Sequence, residues 1–195
     1  MTSHLSNAII VVSGLPRSGT SMMMKMLEAG GVPIVTDHER TPDDDNPEGY
    51  YELERVKQMP KGDTAWVPDA RQKAVKVISA LLKHLPAGEE YRVLFMRRAY
   101  PEILASQRKM LIARNRPVDQ VDDAEMTRLF EKHLQDVDSW LEAQPNIRVL
   151  QVGYNAMLRD PVPLVAEVSA FLDGALDESA MLQAINPTLY RNRGS

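Results

Sequence analysis

The chain has 195 residues, 44% of them hydrophobic and 26% charged, with a net charge of −4 at neutral pH. This length and composition argue against disorder, collagen-like repeats and coiled coils, and they predict one globular domain over residues 1–195. The negative net charge gives no reason to expect a nucleic-acid partner. Because the chain contains no cysteine, disulfides, thiolate metal sites and cysteine nucleophiles are excluded.

The sequence contains no stretch that predicts a membrane span. No apolar run approaches the ~20 residues that such a span needs. The run at residues 8–12 is too short for the core of a signal peptide. We therefore expect a cytoplasmic protein. The 4 histidines are scattered along the sequence, and we expect no metal site from them.

Apolar runs alternate with helical patterns along the chain. Residues 8–12 are a β-branched run that predicts a strand buried on both faces, and residues 20–29 predict the helix that follows it. Further strands are predicted at 33–35, at the start of 73–85, at 91–96 and at 147–152. Further helices are predicted partly at 49–59, at the end of 73–85, and at 101–113, 122–143, 161–172 and 178–185. This alternation predicts a three-layer α/β/α fold with a central parallel sheet, like that of P-loop NTPases.

The segment between the first strand and the first helix has the composition of an anion-binding loop. It reads Gly-Leu-Pro-Arg-Ser-Gly-Thr-Ser over residues 14–21. Gly14 and Gly19 allow the backbone to curl around a phosphate, and the loop N–H groups and the positive end of the helix point at the same place. Arg17 adds positive charge. We therefore predict a phosphate site here, with a purely structural turn as the alternative.

The spacing of this loop nearly matches the Walker A pattern of nucleoside triphosphatases. Both glycines and Ser21 fit, whereas Thr20 stands where the pattern has lysine, and the cation lies instead at Arg17. A magnesium-dependent enzyme also needs an acidic residue at the end of a second strand, but residues 91–96 are followed by two arginines. The loop is thus predicted to bind phosphate without the usual magnesium apparatus.

Residues 15–21, Leu-Pro-Arg-Ser-Gly-Thr-Ser, resemble the 5′-phosphosulfate loop of the sulfotransferase family, Pro-(Lys/Arg)-Ser-Gly-Thr-(Ser/Thr). Members of this family use 3′-phosphoadenosine 5′-phosphosulfate as the sulfuryl donor. The resemblance implies that the donor's 5′-phosphate is bound by consecutive loop residues, namely Arg17, Ser18, Gly19, Thr20 and Ser21.

A second motif of the family is a strand ending in arginine with a serine eight residues later, and Arg98 and Ser106 match it. The resemblance implies that this pair binds the donor's 3′-phosphate, for which a charged fork and a hydroxyl are chemically suited. Weaker matches imply that Tyr154 lies near the adenine, that Lys76 lies near the transferring sulfuryl group, and that Arg193 belongs to a C-terminal phosphate contact.

The reaction that the resemblance implies depends on positioning and on stabilising the charge of the sulfuryl oxygens. Arg17 and Lys76 are the expected cations. The histidine that cytosolic members carry shortly after this lysine is missing, so a carboxylate is the expected general base. Glu52 is the first candidate, Glu48 the second and His38 the third.

We therefore expect a sulfotransferase that moves a sulfuryl group from 3′-phosphoadenosine 5′-phosphosulfate to a hydroxyl or amine of a small-molecule, glycan or lipid acceptor, without a metal. Adenosine 3′,5′-bisphosphate is the expected product. The short chain leaves open either small acceptor loops or a homodimer that completes them. The alternatives are a P-loop nucleotide kinase or triphosphatase that needs magnesium, and a catalytically silent nucleotide-binding protein.

Overall fold

A parallel sheet forms the centre of the protein. The computed structural model describes residues 7–37, 49–113, 122–174 and 176–186. Within these ranges the strands are β1 Ile9–Gly14, β2 Ile34–Val35, β3 Ala74–Lys76, β4 Tyr91–Arg97 and β5 Ile147–Gly153. Their order is β2-β3-β1-β4-β5, and every pair is parallel. The carboxyl ends of the strands therefore lie at one edge of the sheet, which is where α/β proteins bind their ligands.

Helices connect the strands and cover the sheet. The α-helices of the described ranges are α1 Thr20–Ala29, α2 Tyr100–Ala113, α3 Asp123–Glu142, α4 Tyr154–Arg159, α5 Pro161–Phe171 and α6 Glu178–Ala184. Shorter 3₁₀ segments span Glu54–Lys61, Val67–Ala70 and Ser79–His84. No helix in these ranges is both long enough and apolar enough to cross a membrane.

The central strand β1 explains why both faces of the sheet are covered. Alternate side chains of a strand point to opposite faces. Ile10 and Val12 join one apolar cluster with residues of α1, α5 and α6, whereas Ile9 and Val11 join another with residues of α3 and the 3₁₀ segments. All four side chains are buried. The predicted three-layer α/β/α fold with a parallel sheet is thus confirmed.

Most predicted elements agree with the structure to within two residues. The helix expected in part at 49–59 is a 3₁₀ segment, Glu54–Lys61, and two further elements differ for local reasons. The helix expected near the end of residues 73–85 is a 3₁₀ segment, Ser79–His84. Pro86 disfavours helical backbone at Leu85, which is extended, and so the segment ends at His84. The helix α4 was not predicted, because its six residues are too few to display a helical pattern.

Two isoleucines of α2 test the packing of this helix. Ile103 is fully buried, whereas Ile112 is 60% exposed. Ile103→Ala should lower the free energy of unfolding by about 2–5 kcal/mol, because it leaves a cavity in the core. Ile112→Ala, the same change on the same helix, should alter it by no more than about 0.5 kcal/mol. Urea denaturation followed by circular dichroism measures both, and equal losses would contradict the described packing.

Candidate functional site

The loop between β1 and α1 is fixed by two glycines that leave no room for a side chain. Gly14 has a φ of +146° and Gly19 a φ of +101°. A Cβ atom at Gly14 would lie 2.5 Å from Ser18 Oγ, and one at Gly19 would lie 2.3 Å from Tyr154 Cδ2. Both distances are far below van der Waals contact. The curled loop therefore requires glycine at these positions for packing as well as for backbone conformation.

Ser18 has a buried hydroxyl that has no partner within the described residues. The residue lies just before Gly19, the N-terminal cap of α1, and the first turn of α1 carries no acidic side chain. An unpaired buried hydroxyl is costly, and the N-terminus of a helix attracts anions. The loop thus has the donors and the electrostatics of a phosphate site, and Ser18 supplies one of the donors.

Arg17 connects this loop to the second predicted motif. Its Nε atom donates to Ser106 Oγ at 2.9 Å, and its carbonyl oxygen accepts from Arg98 Nη1 at 3.0 Å. The residue has a φ of +73°, a left-handed conformation that is costly for a side chain with Cβ. The structure therefore brings Arg17, Arg98 and Ser106 together, although they come from two distant parts of the chain.

Arg98 is held by contacts on its edge and on its face. Its Nε atom donates to Glu102 Oε2 at 2.9 Å, and both side chains are buried. Glu102 Oε1 in turn accepts from Asn155 Nδ2 at 2.7 Å. The guanidinium carbon lies 4.4 Å from the centre of the Tyr154 ring, within cation–π range. The bond to Glu102 uses Nε, and the bond to the Arg17 carbonyl uses Nη1. The second terminal nitrogen, Nη2, takes part in neither of these two bonds.

Tyr154 packs against both elements that are predicted to bind phosphate. It is the first residue of α4, and its buried ring contacts Gly19 on the loop and the guanidinium of Arg98. The resemblance to the sulfotransferase family implies that this tyrosine lies near an adenine. The structure brings it beside the loop, and the adenine contact stays a prediction.

Lys76, the last residue of β3, reaches the start of α1. Its Nζ atom donates to Ser21 Oγ at 3.1 Å and to the carbonyl oxygen of Tyr50 at 2.7 Å. The carbonyl contact brings residues 49–53 next to the lysine and the loop. The predicted pair of cations, Arg17 and Lys76, thus flanks the N-terminus of α1.

Glu52 lies two residues beyond that carbonyl contact. Its backbone oxygen accepts from Thr36 Oγ1 at 2.8 Å, and its carboxylate lies 3.5 Å from Lys57 Nζ. A hydrogen bond to Glu54, together with the charges of Glu52 and Glu54, raises the pKa of Lys57 above its ordinary value. Glu52 therefore faces a protonated amine. The other predicted residues, Glu48, Arg193 and His38, lie outside the described residues.

A cavity of about 410 Å³ opens beside the loop, at the carboxyl ends of β4 and β5. This volume is in the range of small-molecule sites. Ser18 and Arg98 line the cavity, together with Asn155 and Arg159 of α4. In the described part of the chain, no group of three or more histidine or carboxylate side chains is placed to hold a metal ion.

Three residues of this region were not predicted from the sequence. Glu102 stands four residues after Arg98, and this spacing is a signal for an ion pair that sequence reasoning had available. Asn155 and Arg159 carry no such signal, because they reach the site only through α4. Their contribution follows from the packing of that helix against the sheet edge.

The fold and the loop define an α/β protein with a candidate phosphate site at the carboxyl edge of its parallel sheet. The model of the family described as "Sulfotransferase domain" matches residues 8–192. The chain therefore belongs to the sulfotransferase family. No curated protein matches the chain.

Several solved structures share the fold. The sulfotransferase domain from the curacin biosynthetic pathway is 16% identical, with a TM-score of 0.55, and the match covers 93% of this chain and 79% of that one. Mouse sulfotransferase SULT7A1 complexed with PAP is 20% identical, with a TM-score of 0.57, and the match covers 92% of this chain and 63% of that one. The sulfotransferase domain of the Synechococcus PCC 7002 olefin synthase is 16% identical, with a TM-score of 0.52, and the match covers 100% and 83%. At these identities the likeness concerns the fold.

Two glycines with similar backbone conformations test the packing of the loop. Gly19 and Gly31 have φ values of +101° and +92°, but a Cβ atom at Gly31 would meet no atom within 4 Å. Alanine at either position pays the left-handed strain of about 1–2 kcal/mol. Gly19→Ala should lower the free energy of unfolding by a further 1–3 kcal/mol or so, because its methyl group collides with Tyr154.

Chemical denaturation of the two variants measures this difference directly. Gly31→Ala serves as the control for backbone strain alone. If the two variants lose the same stability, the Gly19–Tyr154 contact does not shape the loop.

Proposed function

We propose that the chain transfers a sulfuryl group from 3′-phosphoadenosine 5′-phosphosulfate to a hydroxyl or amine of an acceptor. The observation that carries the proposal is the contact between the two phosphate-binding motifs. Arg17 of the loop hydrogen-bonds both to Arg98 and to Ser106. A donor with phosphate groups on both sides of one ribose requires two neighbouring phosphate sites, and this contact makes the two motifs neighbours.

The residues present fit such a nucleotide. The unpaired hydroxyl of Ser18 and the N-terminus of α1 suit the 5′-phosphate. Arg98 and Ser106 suit the 3′-phosphate, because a guanidinium and a hydroxyl form charge-assisted hydrogen bonds with a phosphate monoester. The complex of a structural relative with PAP supports the same class of nucleotide.

The proposed reaction is an in-line displacement at sulfur. The acceptor oxygen or nitrogen forms a bond to sulfur, and the bond from sulfur to the bridging oxygen of the 5′-phosphate breaks, which leaves adenosine 3′,5′-bisphosphate. Charge develops on the sulfuryl oxygens and on the bridging oxygen. Lys76 and Arg17 flank the N-terminus of α1, and we assign to them the stabilisation of this charge.

Glu52 is the proposed general base, which takes the proton of the acceptor. The contact between Lys76 and the Tyr50 carbonyl supports this assignment, because it holds the segment of Glu52 beside the cations. The carboxylate itself lies 3.5 Å from Lys57 Nζ, and 20% of its side chain is exposed. The acceptor is a small molecule, glycan or lipid that presents its hydroxyl or amine to this segment.

The choice of nucleotide tests the donor. In the presence of EDTA, the protein should bind adenosine 3′,5′-bisphosphate at least about tenfold more tightly than AMP or ATP, because only the bisphosphate engages both phosphate sites. Isothermal titration calorimetry measures the three affinities. Binding of ATP that depends on magnesium, with no preference for the bisphosphate, would favour a nucleotide kinase or triphosphatase instead.

Glu52→Gln tests the base. The variant keeps the shape of the side chain and removes its basicity, so turnover of a confirmed acceptor should fall about 10²-fold or more. Affinity for adenosine 3′,5′-bisphosphate should stay unchanged. A screen of hydroxylated and amine compounds with labelled donor supplies the acceptor.

Glu54→Gln is the matched control. Glu54 shares the contact with Lys57 but is more exposed, with 43% of its side chain accessible against 20% for Glu52. Its substitution should leave turnover within about twofold, as for other exposed sites outside the reacting groups. Normal turnover by the Glu52 variant would show that another group takes the proton.

A further inference from the structure

Glu102 is a buried carboxylate that the proposed reaction does not use. It lies in the first turn of α2 and is only 5% exposed. Charged side chains are rarely buried unless they are paired, because burial removes their hydration. The two oxygens of Glu102 take separate donors, Arg98 Nε on one side and Asn155 Nδ2 on the other. The carboxylate thus ties the end of β4 to the start of α4.

These contacts determine the orientation of Arg98. The bond from Nε to Glu102 and the bond from Nη1 to the Arg17 carbonyl fix the plane of the guanidinium. The Tyr154 ring, 4.4 Å away, fixes its face. A planar group held at two edge positions and on one face has a single orientation, in which Nη2 is the terminal nitrogen that neither bond uses.

The orientation of Arg98 also bears on the loop. The carbonyl that accepts from Nη1 belongs to Arg17, whose φ of +73° is unfavourable without support from its surroundings. A charged donor on this carbonyl stabilises the left-handed turn at Arg17. A change at Glu102 would therefore reach the phosphate loop through Arg98, although Glu102 itself lies on another element.

We propose that Glu102 is a positioning residue that orients Arg98, and through it the Arg17 turn, so that the two phosphate sites form as one unit. This inference rests on the proposed function of the two sites. It differs from a simpler role in which Glu102 only neutralises Arg98. In that simpler case, removing the negative charge would free the arginine and strengthen the binding of an anionic ligand.

Glu102→Gln separates these two roles. Glutamine keeps the shape, but it has one acceptor oxygen for two donors, so at least one contact is lost. Positioning predicts that the affinity for adenosine 3′,5′-bisphosphate falls about tenfold or more, as expected for the loss of one charge-assisted hydrogen bond. An unchanged or increased affinity, measured by calorimetry, would overturn the proposal.

The matched control is Glu125→Gln on α3. Glu125 pairs with Arg128 in an exposed ion pair, so this variant makes the same chemical change away from the site. It should bind the bisphosphate like the unmodified chain. An equal loss of affinity in both variants would trace the effect to net charge and would also overturn the positioning role.

Hydrogen exchange in the protein without nucleotide provides a readout that does not depend on the proposed function. Glu102→Gln should accelerate amide exchange in residues 14–21, while β4 and α5 keep the exchange rates of the Glu125→Gln control. Unchanged exchange in the loop, or equal acceleration throughout the chain, would overturn the proposal. If the unmodified chain fails to bind the bisphosphate, the proposed function falls, and local acceleration in the loop still supports the positioning role.

Asn155→Ala keeps the inference testable if Glu102→Gln does not fold. This variant leaves the pair of Arg98 and Glu102 intact and removes the second donor of the carboxylate. It should weaken bisphosphate binding severalfold and accelerate exchange in residues 14–21 to a smaller extent. No change in either measurement would contradict the assigned role of Glu102.

Discussion

The hydrogen bond from Arg98 to the carbonyl of Arg17 joins residues that are 81 positions apart in the chain. It connects the end of β4 to the loop that follows β1, and it acts together with the bond from Arg17 to Ser106. The arginine that donates the first bond is also paired with Glu102, and both side chains of this pair are buried. Loss of either partner leaves an uncompensated buried charge, which costs about 3–5 kcal/mol. The site and the stability of its surroundings therefore depend on the same ion pair.

The parallel sheet explains why this contact is possible. The carboxyl ends of β3, β1, β4 and β5 follow one another along one edge, so Lys76, the loop, Arg98 and Tyr154 emerge side by side. A side chain at the end of any of these strands needs to reach only the neighbouring strand, about 5 Å away. The sheet thus converts a spacing of many residues in sequence into direct contact.

Two backbone oxygens contribute to holding residues 49–53 at the site, in addition to the side chain of Tyr51, which donates to Glu28 of α1. The Tyr50 carbonyl accepts from Lys76, and the Glu52 carbonyl accepts from Thr36. Backbone contacts of this kind place a segment without specifying its side chains. These two contacts would therefore remain with another side chain at position 52, and the segment would keep its place beside Lys76.

The family and most of the fold could be predicted from local sequence. The β-branched run of β1 and the glycines at positions 14 and 19 are signals carried by neighbouring residues, and the spacing of Arg98 and Ser106 is a motif of the family. The run indicates a strand buried on both faces, the glycines indicate a tightly curled backbone, and the motif supplies a guanidinium and a hydroxyl. Each of these properties depends on the residue type and its close neighbours, and so the sequence by itself determined the class of fold and the two motifs that are predicted to bind phosphate.

The tertiary structure decided which groups complete and orient the site. In the sequence, Glu102 is similar to other acidic residues in the first turn of a helix. The structure shows that it is buried and that it accepts from Arg98 and Asn155. In the sequence, Tyr154 is only an aromatic residue that follows a strand. In the structure, its ring packs against Gly19 and Arg98. Burial and orientation arise from elements that meet only in the folded chain, because the energy of a buried charge or ring depends on partners that are distant in sequence.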